Sequence, residues 1–396
     1  MAIIDEVTIK GFKSIQEQTV SLGQMNILIG TNGAGKSNFL EALAVLSASA
    51  EGGIDYQKLK NRGSRLSAAD IFRSAFRNIP RKKFFELKAK MSDYEYDMKI
   101  NSSEQFSYFS ENLKEKHSKI AGRSYAGATF NNNSINKLDN QKSILGVIQS
   151  FEASYTPILE NLKKFAIYSP STPILRGVAS DESYQEPLGL YGGGLAKALA
   201  ELIKDEDNKG ELQRFFKLFE WFQSIGTSTA INPGVSPEQS LVGSRIVKYN
   251  DKFMKTNFNE LYAYDVSEGA LFILFVLVLL IHKKAPNIFA LDNVDSTLNP
   301  GLIRQLMIHI VEILEKHPEK QIFLTTHNPT TLDGIDLFND QHRLFVVSRS
   351  DKGLTELKRI MPPKGMTKEE WEEKYFGLRL SEIWLSGAIG GMPKGF

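Results

Sequence analysis

Two hydrophobic periods run through this chain. Residues 3–9 alternate apolar with polar side chains, the pattern of a half-buried strand. Residues 25–30 (MNILIG) form a short apolar run closed by glycine, as a buried strand feeding a turn does. Residues 38–50, rich in leucine and alanine, then predict a helix. Residues 84–100 read as two strands with a polar turn near Ser92 and Asp93. From 101 to 142 the chain turns polar, with ATFNNNSINKLDNQKS its least core-like stretch, and this predicts a mobile insertion. Residues 143–164 return as a helix, and 165–169 as a short strand ended by Ser169 and Pro170.

Beyond a proline-bearing loop and the run Tyr191, Gly192, Gly193, Gly194, a helix is predicted over 195–204 and a second, aromatic-rich one over 212–225. Residues 234–264 are mixed, with strands. The last third alternates cleanly: helix 268–283, strand 287–292, helix 300–316, strand 321–325, helix 330–336, strand 343–348. Helices alternating with short apolar strands imply the α/β class, with a mixed, largely parallel sheet.

Composition narrows this little. The formal net charge of +2 argues for no strongly basic or acidic partner surface, so any nucleic-acid contact would be a local patch. There are no cysteines, which excludes disulfides, thiol catalysis and cysteine-ligated zinc within this chain and fits the cytoplasm. The start, MAIIDEVTIKGF, lacks the charge and apolar run of a signal peptide. The strongest apolar run, residues 270–281, is shorter than the roughly 20 residues a membrane span needs and reads as a buried helix.

The chemistry begins at residues 30–37, GTNGAGKS, which match G-x-x-x-x-G-K-[ST] between an apolar strand and a helix. In that pattern glycines let backbone N–H groups wrap phosphates, the lysine reaches the β- and γ-phosphates, and the serine hydroxyl serves Mg²⁺. The ATP-binding set is then Asn32, Gly33, Ala34, Gly35, Lys36, Ser37 and Asn38. Residues 287–292 (NIFALD) carry an acid on the end of a buried strand, where Asp292 joins Ser37 as a metal-site residue. Residues 265–270 (DVSEGA) place Ser267, Glu268 and Gly269 directly before the apolar helix. His327 ends the next strand, where a neutral imidazole can bond a terminal phosphate and position water. Arg304 and His309 fit an R-x₄-H spacing found in some ribonuclease modules, but on a helix inside the core they read as structural.

These motifs in this order, with NGAGKSN and the opening IKGFKSI, resemble the RecF/SMC/OLD-like branch of ABC-type ATPases. Within it the chain is similar to the stand-alone AAA-family ATPases of bacterial anti-phage operons, the PtuA type of Septu-like systems. The resemblance spans residues 1–50 and 165–396. It implies a P-loop ATPase head built from 1–100 and 165–396, with a helical signature lobe at roughly 195–270, interrupted by the 101–164 insertion and helix. It implies that Lys13 and Ser14 lie beside the nucleotide, and that Ser267, Glu268 and Gly269 contact the γ-phosphate held by a second protomer. It further makes Ser296 and Asn299 part of the D-loop.

One position departs from the family. Where a glutamate usually follows the Walker B aspartate and serves as base, this chain has Asn293. Asparagine orients water but cannot take its proton. Asp295, two residues on, would face the same side if strand geometry persisted, which makes Asp292, Asn293, Asp295 and His327 the catalytic candidates. The expectation is a slow, ATP- and Mg²⁺-dependent ATPase that forms a homodimer or higher oligomer through its ATP sites and controls a separate effector, a nuclease. The alternatives are a RecF-like repair ATPase that binds duplex DNA and a non-hydrolysing ATP-clamped scaffold. No membrane partner is implied.

Overall fold

The computed structural model describes residues 4–135, 138–151, 156–183, 185–230, 245–295 and 297–389. Its elements begin with β1 (Glu6–Phe12), β2 (Ile15–Ser21), β3 (Met25–Ile29), α1 (Lys36–Ala50) and α2 (Tyr56–Asn61). Next come β4 (Phe85–Met91), β5 (Tyr94–Asn101), β6 (Ser107–Glu115), β7 (Ser118–Ser124), β8 (Gly127–Phe130), β9 (Asn133–Ile135), α3 (Ile144–Phe151) and α4 (Thr156–Lys163). The middle holds β10 (Ile167–Tyr168), α5 (Thr172–Leu175), α6 (Leu195–Lys204), α7 (Glu206–Phe216), β11 (Phe222–Ser228), β12 (Ile246–Asp251), β13 (Glu260–Tyr262) and α8 (Glu268–Ile281). The last are β14 (Ile288–Leu291), α9 (Pro300–Lys316), β15 (Gln321–Thr326), β16 (His342–Arg349), β17 (Thr355–Ile360), α10 (Lys368–Lys374) and α11 (Leu380–Leu385). They fall into two units: residues 1–167, 287–294 and 318–396, and residues 168–286 and 295–317.

The first unit carries the α/β sheet, in the order β10-β14-β15-β3-β16-β17. β14, β15, β3 and β16 are mutually parallel, and β17 returns antiparallel. This places β3, the strand that feeds the phosphate loop, between β15 and β16. A second, antiparallel sheet has the order β2-β1-β4-β5-β6-β7-β8-β9. Helix α1 packs on β1 and β4 of one sheet and β15 of the other, so it is buried nearly all round. That explains its run of alanines and leucines without a polar face.

The described residues of 101–142 are not an unstructured stretch as expected: β6 to β9 extend the antiparallel sheet. Its polar composition conceals a paired interior. The Glu111 carboxylate, fully buried, accepts hydrogen bonds from Arg123 Nη2 (2.8 Å), Tyr96 Oη (2.7 Å), Ser143 Oγ (2.7 Å) and the Ile144 N–H (3.1 Å). A buried network whose members are all paired costs far less than its composition suggests. The predicted helix over 143–164 is two helices, α3 and α4; residues 152–155 between them lie outside the described residues.

In the second unit α8 is enclosed by α5, α6, α7 and α9, and Gly269–Ile281 are all buried. The aromatic-rich 212–225 segment is not one helix. α7 stops at Phe216 and β11 pairs antiparallel with β12, with Phe216 stacked on Phe222 at 4.8 Å. Large aromatic side chains suit both states, and strand pairing decided between them. β11, β12 and β13 form a small antiparallel sheet; residues 231–244 of the mixed stretch lie outside the described residues. The predicted 330–336 helix is a 3₁₀ turn over Pro329–Gly334. No helix among the described residues is long and apolar enough to cross a membrane.

Candidate nucleotide site

The phosphate loop is shaped by what surrounds it. A Cβ at Gly30 would lie 2.1 Å from the Val347 carbonyl oxygen of β16, so β3 and β16 approach too closely there for any side chain. Gly35 has φ 115°, and a Cβ there would meet Thr355 Oγ1 at 2.1 Å. Gly33 has φ 76° with open space where a Cβ would point. Thr355 Oγ1, at the start of β17, donates to the Ala34 carbonyl at 2.8 Å. In a trans peptide this turns the Gly35 N–H the opposite way. Helix α1 then begins at Lys36 with no side-chain cap, so its first N–H groups and the positive end of its dipole remain available to an anion.

Asn32–Asn38, Arg65, Asp292, Asn293, His327 and Arg349 line one cavity of about 230 Å³. The order of the parallel strands brings these distant residues together, since β15 ends beside β3 and β14 beside β15. Lys36 Nζ donates to the Gly30 carbonyl (2.7 Å) and the Thr31 carbonyl (3.0 Å) and lies 3.3 Å from His327 Nδ1. Ser37 Oγ is 3.4 Å from Asp292 Oδ2. Thr325 Oγ1 donates to Asp292 Oδ1 and accepts the Asn293 N–H at 2.9 Å. His327 Nε2 lies 3.2 Å from Asn293 Oδ1. A hydroxyl and a carboxylate at this separation, both hard oxygen donors, fit a shared Mg²⁺, and the uncapped α1 terminus with Lys36 fits phosphate.

Lys13 is buried against Glu41, with Nζ 2.6 Å from Oε2, and its ammonium lies 4.3 Å from the Phe72 ring centroid. Ser14 Oγ is 2.7 Å from Thr355 Oγ1 and accepts from Asn38 Nδ2 at 2.5 Å. Arg65 grips the same Glu41 (Nε to Oε1, 2.8 Å) and reaches Asn38 Oδ1 at 2.6 Å. Burial alone would raise the Glu41 carboxyl, but the hydrogen bonds and charges of Arg65 and Lys13 outweigh it and hold the group below its ordinary value. Burial pushes the Lys13 ammonium down, against the pull of Glu41.

The strand alternation expected to carry Asp295 to the side of Asn293 does not hold. β14 ends at Leu291 and Asn293 turns with φ 56°, so the period of two is broken before Asp295. Asp295 belongs to the second unit, and Ser296 lies outside the described residues. Ser267 caps α8, accepting from the Ala270 N–H at 3.4 Å, and Glu268 and Gly269 form that helix's first turn. Asn299 caps α9, accepting from the Leu302 N–H at 2.9 Å. His309 pairs with Glu312 at 2.9 Å, and no cluster of potential metal ligands occurs among the described residues. Sequence reasoning missed Glu41, Arg65, Thr325, Arg349 and Thr355. Only Thr325 stood close to a singled-out residue, two positions before His327.

A family model matches residues 25–333, from β3 past His327. The chain belongs to the family described as "AAA domain, putative AbiEii toxin, Type IV TA system". Membership implies nucleotide binding, as a rule with Mg²⁺. No curated protein gives a significant match. Among solved structures, an SMC head bound to the C-winged helix domain of ScpA is similar with a TM-score of 0.55 at 15% identity, covering 92% of this chain and 99% of that one. An SMC head with an extended coiled coil, bound to the C-terminal domain of ScpA derived from Pyrococcus furiosus, has a TM-score of 0.51 at 14% identity, covering 95% and 99%. At such identities the likeness establishes the fold: this AAA-family chain has the α/β architecture of the SMC-head, ABC-type P-loop ATPases.

Proposed function

We propose that this chain is an ATP-dependent dimeric switch: it binds ATP with Mg²⁺, hydrolyses it slowly, and in its ATP-held dimer controls a separate effector, a nuclease, in bacterial anti-phage defence. One observation carries the reading. The phosphate-binding half of the site is complete, while an amide, Asn293, stands within 3.2 Å of His327 where the family places a carboxylate base. Lys36 and the α1 terminus would neutralise the phosphates, and Ser37 with Asp292 would hold Mg²⁺, which supplies charge stabilisation there when bound. Asn293 and His327 can orient a water, but the amide removes no proton from it. Phosphoryl transfer depends mostly on positioning and charge, so turnover is slowed rather than abolished.

The dimer and the effector are supported by the resemblance to stand-alone defence ATPases and by the small turn of Ser267–Gly269 at the buried helix α8. The test uses the purified chain: ATP affinity, phosphate release, mass with and without ATP, and cleavage of DNA or RNA. Tight ATP binding, slow release and an ATP-dependent dimer without nuclease activity are the outcomes expected. A chain that cleaves nucleic acid unaided, or stays monomeric with ATP, overturns the proposal.

A further inference from the structure

A second cavity, of about 510 Å³, adjoins the phosphate-loop cavity, and Lys13, Ser14, Arg73 and Phe76 are among its lining residues. Three residues line both cavities: Asn38, Arg65 and Arg349. Two of these are committed elsewhere, since Asn38 bonds Ser14 and Arg65, and Arg65 is paired with Glu41. Arg349 differs. Its Nε donates to the Gly33 carbonyl of the phosphate loop at 3.0 Å and its Nη1 to the Gly353 carbonyl at 2.6 Å. Both acceptors are backbone carbonyls, and no carboxylate among the described residues pairs with it. A guanidinium has five N–H donors in a rigid fork, so three remain, carrying a full positive charge at an exposed junction of two cavities.

The position fixes what that charge would meet. Asp292, Asn293 and His327 line only the first cavity and mark its terminal-phosphate end. Arg349 ends β16, which lies across β3 from β15 and β14, and it lines the part of the phosphate cavity shared with the second. We propose that Arg349 binds the phosphate nearest the nucleoside and, through the same fork, holds the Gly33 peptide around it, so that the β16–β17 turn senses whether nucleotide is present. This rests on the ATP-binding reading. Because the contact is at the nucleoside end, ATP and ADP should depend on it equally.

The experiment titrates fluorescent ATP and ADP analogues into wild type, Arg349→Met and Arg349→Lys, and records thermal unfolding with and without nucleotide. Arg349→Met is expected to bind both nucleotides about 10- to 100-fold more weakly, the range for one lost charged hydrogen bond. Arg349→Lys should recover part of the loss, because it keeps charge but not the fork. Unliganded melting should stay at the wild-type temperature, while the nucleotide-induced rise shrinks. Three results would overturn the proposal: unchanged affinity in Arg349→Met, a loss for ATP but not ADP, or a fall in unliganded melting with the nucleotide-induced rise intact, which marks a mere brace. A wild-type chain that binds no nucleotide removes the underlying reading as well; failure of the Arg349 proposal alone shows only in the variants.

Discussion

Asn293 sits with φ 56°, a left-handed conformation that asparagine tolerates better than most side chains. The residue that weakens the expected base therefore also suits its backbone. Substituting Asn293→Glu supplies a carboxylate near His327, and steady-state phosphate release should rise by about 100- to 10,000-fold, the usual worth of a positioned base. The same change should lower stability by about 1 kcal/mol through the backbone cost, readable in denaturant unfolding. An unchanged rate would remove the explanation for slow turnover. Glu41 makes the second residue-scale prediction. Its folded carboxyl is held below its ordinary 4.5, so its stabilisation is present above that value and is lost as pH falls through the lowered one. Glu41→Gln leaves the buried Lys13 ammonium unpaired and should cost about 3–5 kcal/mol at neutral pH. The difference in urea midpoint between variant and wild type should narrow on acidification below about 4.5.

At the scale of elements, the β16–β17 hairpin is a wall of the phosphate loop as much as a sheet edge. Val347, Arg349 and Thr355 each meet a loop residue. The β6–β7 pair shows how misleading polar composition can be. Arg123 and Glu111 are 6% and 0% exposed at their side chains, and the charges pair 2.8 Å apart. Burial still raises the Glu111 carboxyl, against the pull of Arg123 and its hydrogen bonds. Replacing Arg123→Met strands that carboxylate, and the loss should be about 3–5 kcal/mol by chemical denaturation. A loss under about 1 kcal/mol would mean that these strands are not anchored as described.

The whole molecule poses the question of partnership. If Ser267 contacts nucleotide bound by a second copy, Ser267→Arg should abolish the ATP-dependent rise in mass while leaving ATP affinity within about threefold of wild type, because the phosphate loop lies elsewhere in the chain. Light scattering with and without ATP reads this directly. A dimer that persists in Ser267→Arg would reduce Ser267 to the α8 cap that its bond to Ala270 already makes it.

The phosphate loop with which the chemistry began was legible because its constraints are local. Glycine at positive φ, a lysine at a helix start and an apolar strand before them all follow from nearest neighbours, and the strand end, turn and helix start expected around residues 30–38 are found there. The buried helix α8 and the alternating last third were legible for the same reason, since burial on all sides or on one face imposes a period. Tertiary structure alone decided the rest. Whether polar residues 101–135 are ordered depended on partners such as Glu111 with Arg123 and Ser143, up to 32 residues apart. Which cations stand by the phosphate loop depended on the hairpin that brings Arg349 to Gly33 across 316 residues. No period in the chain encodes such pairings, because a charge finds its partner in space rather than along the sequence.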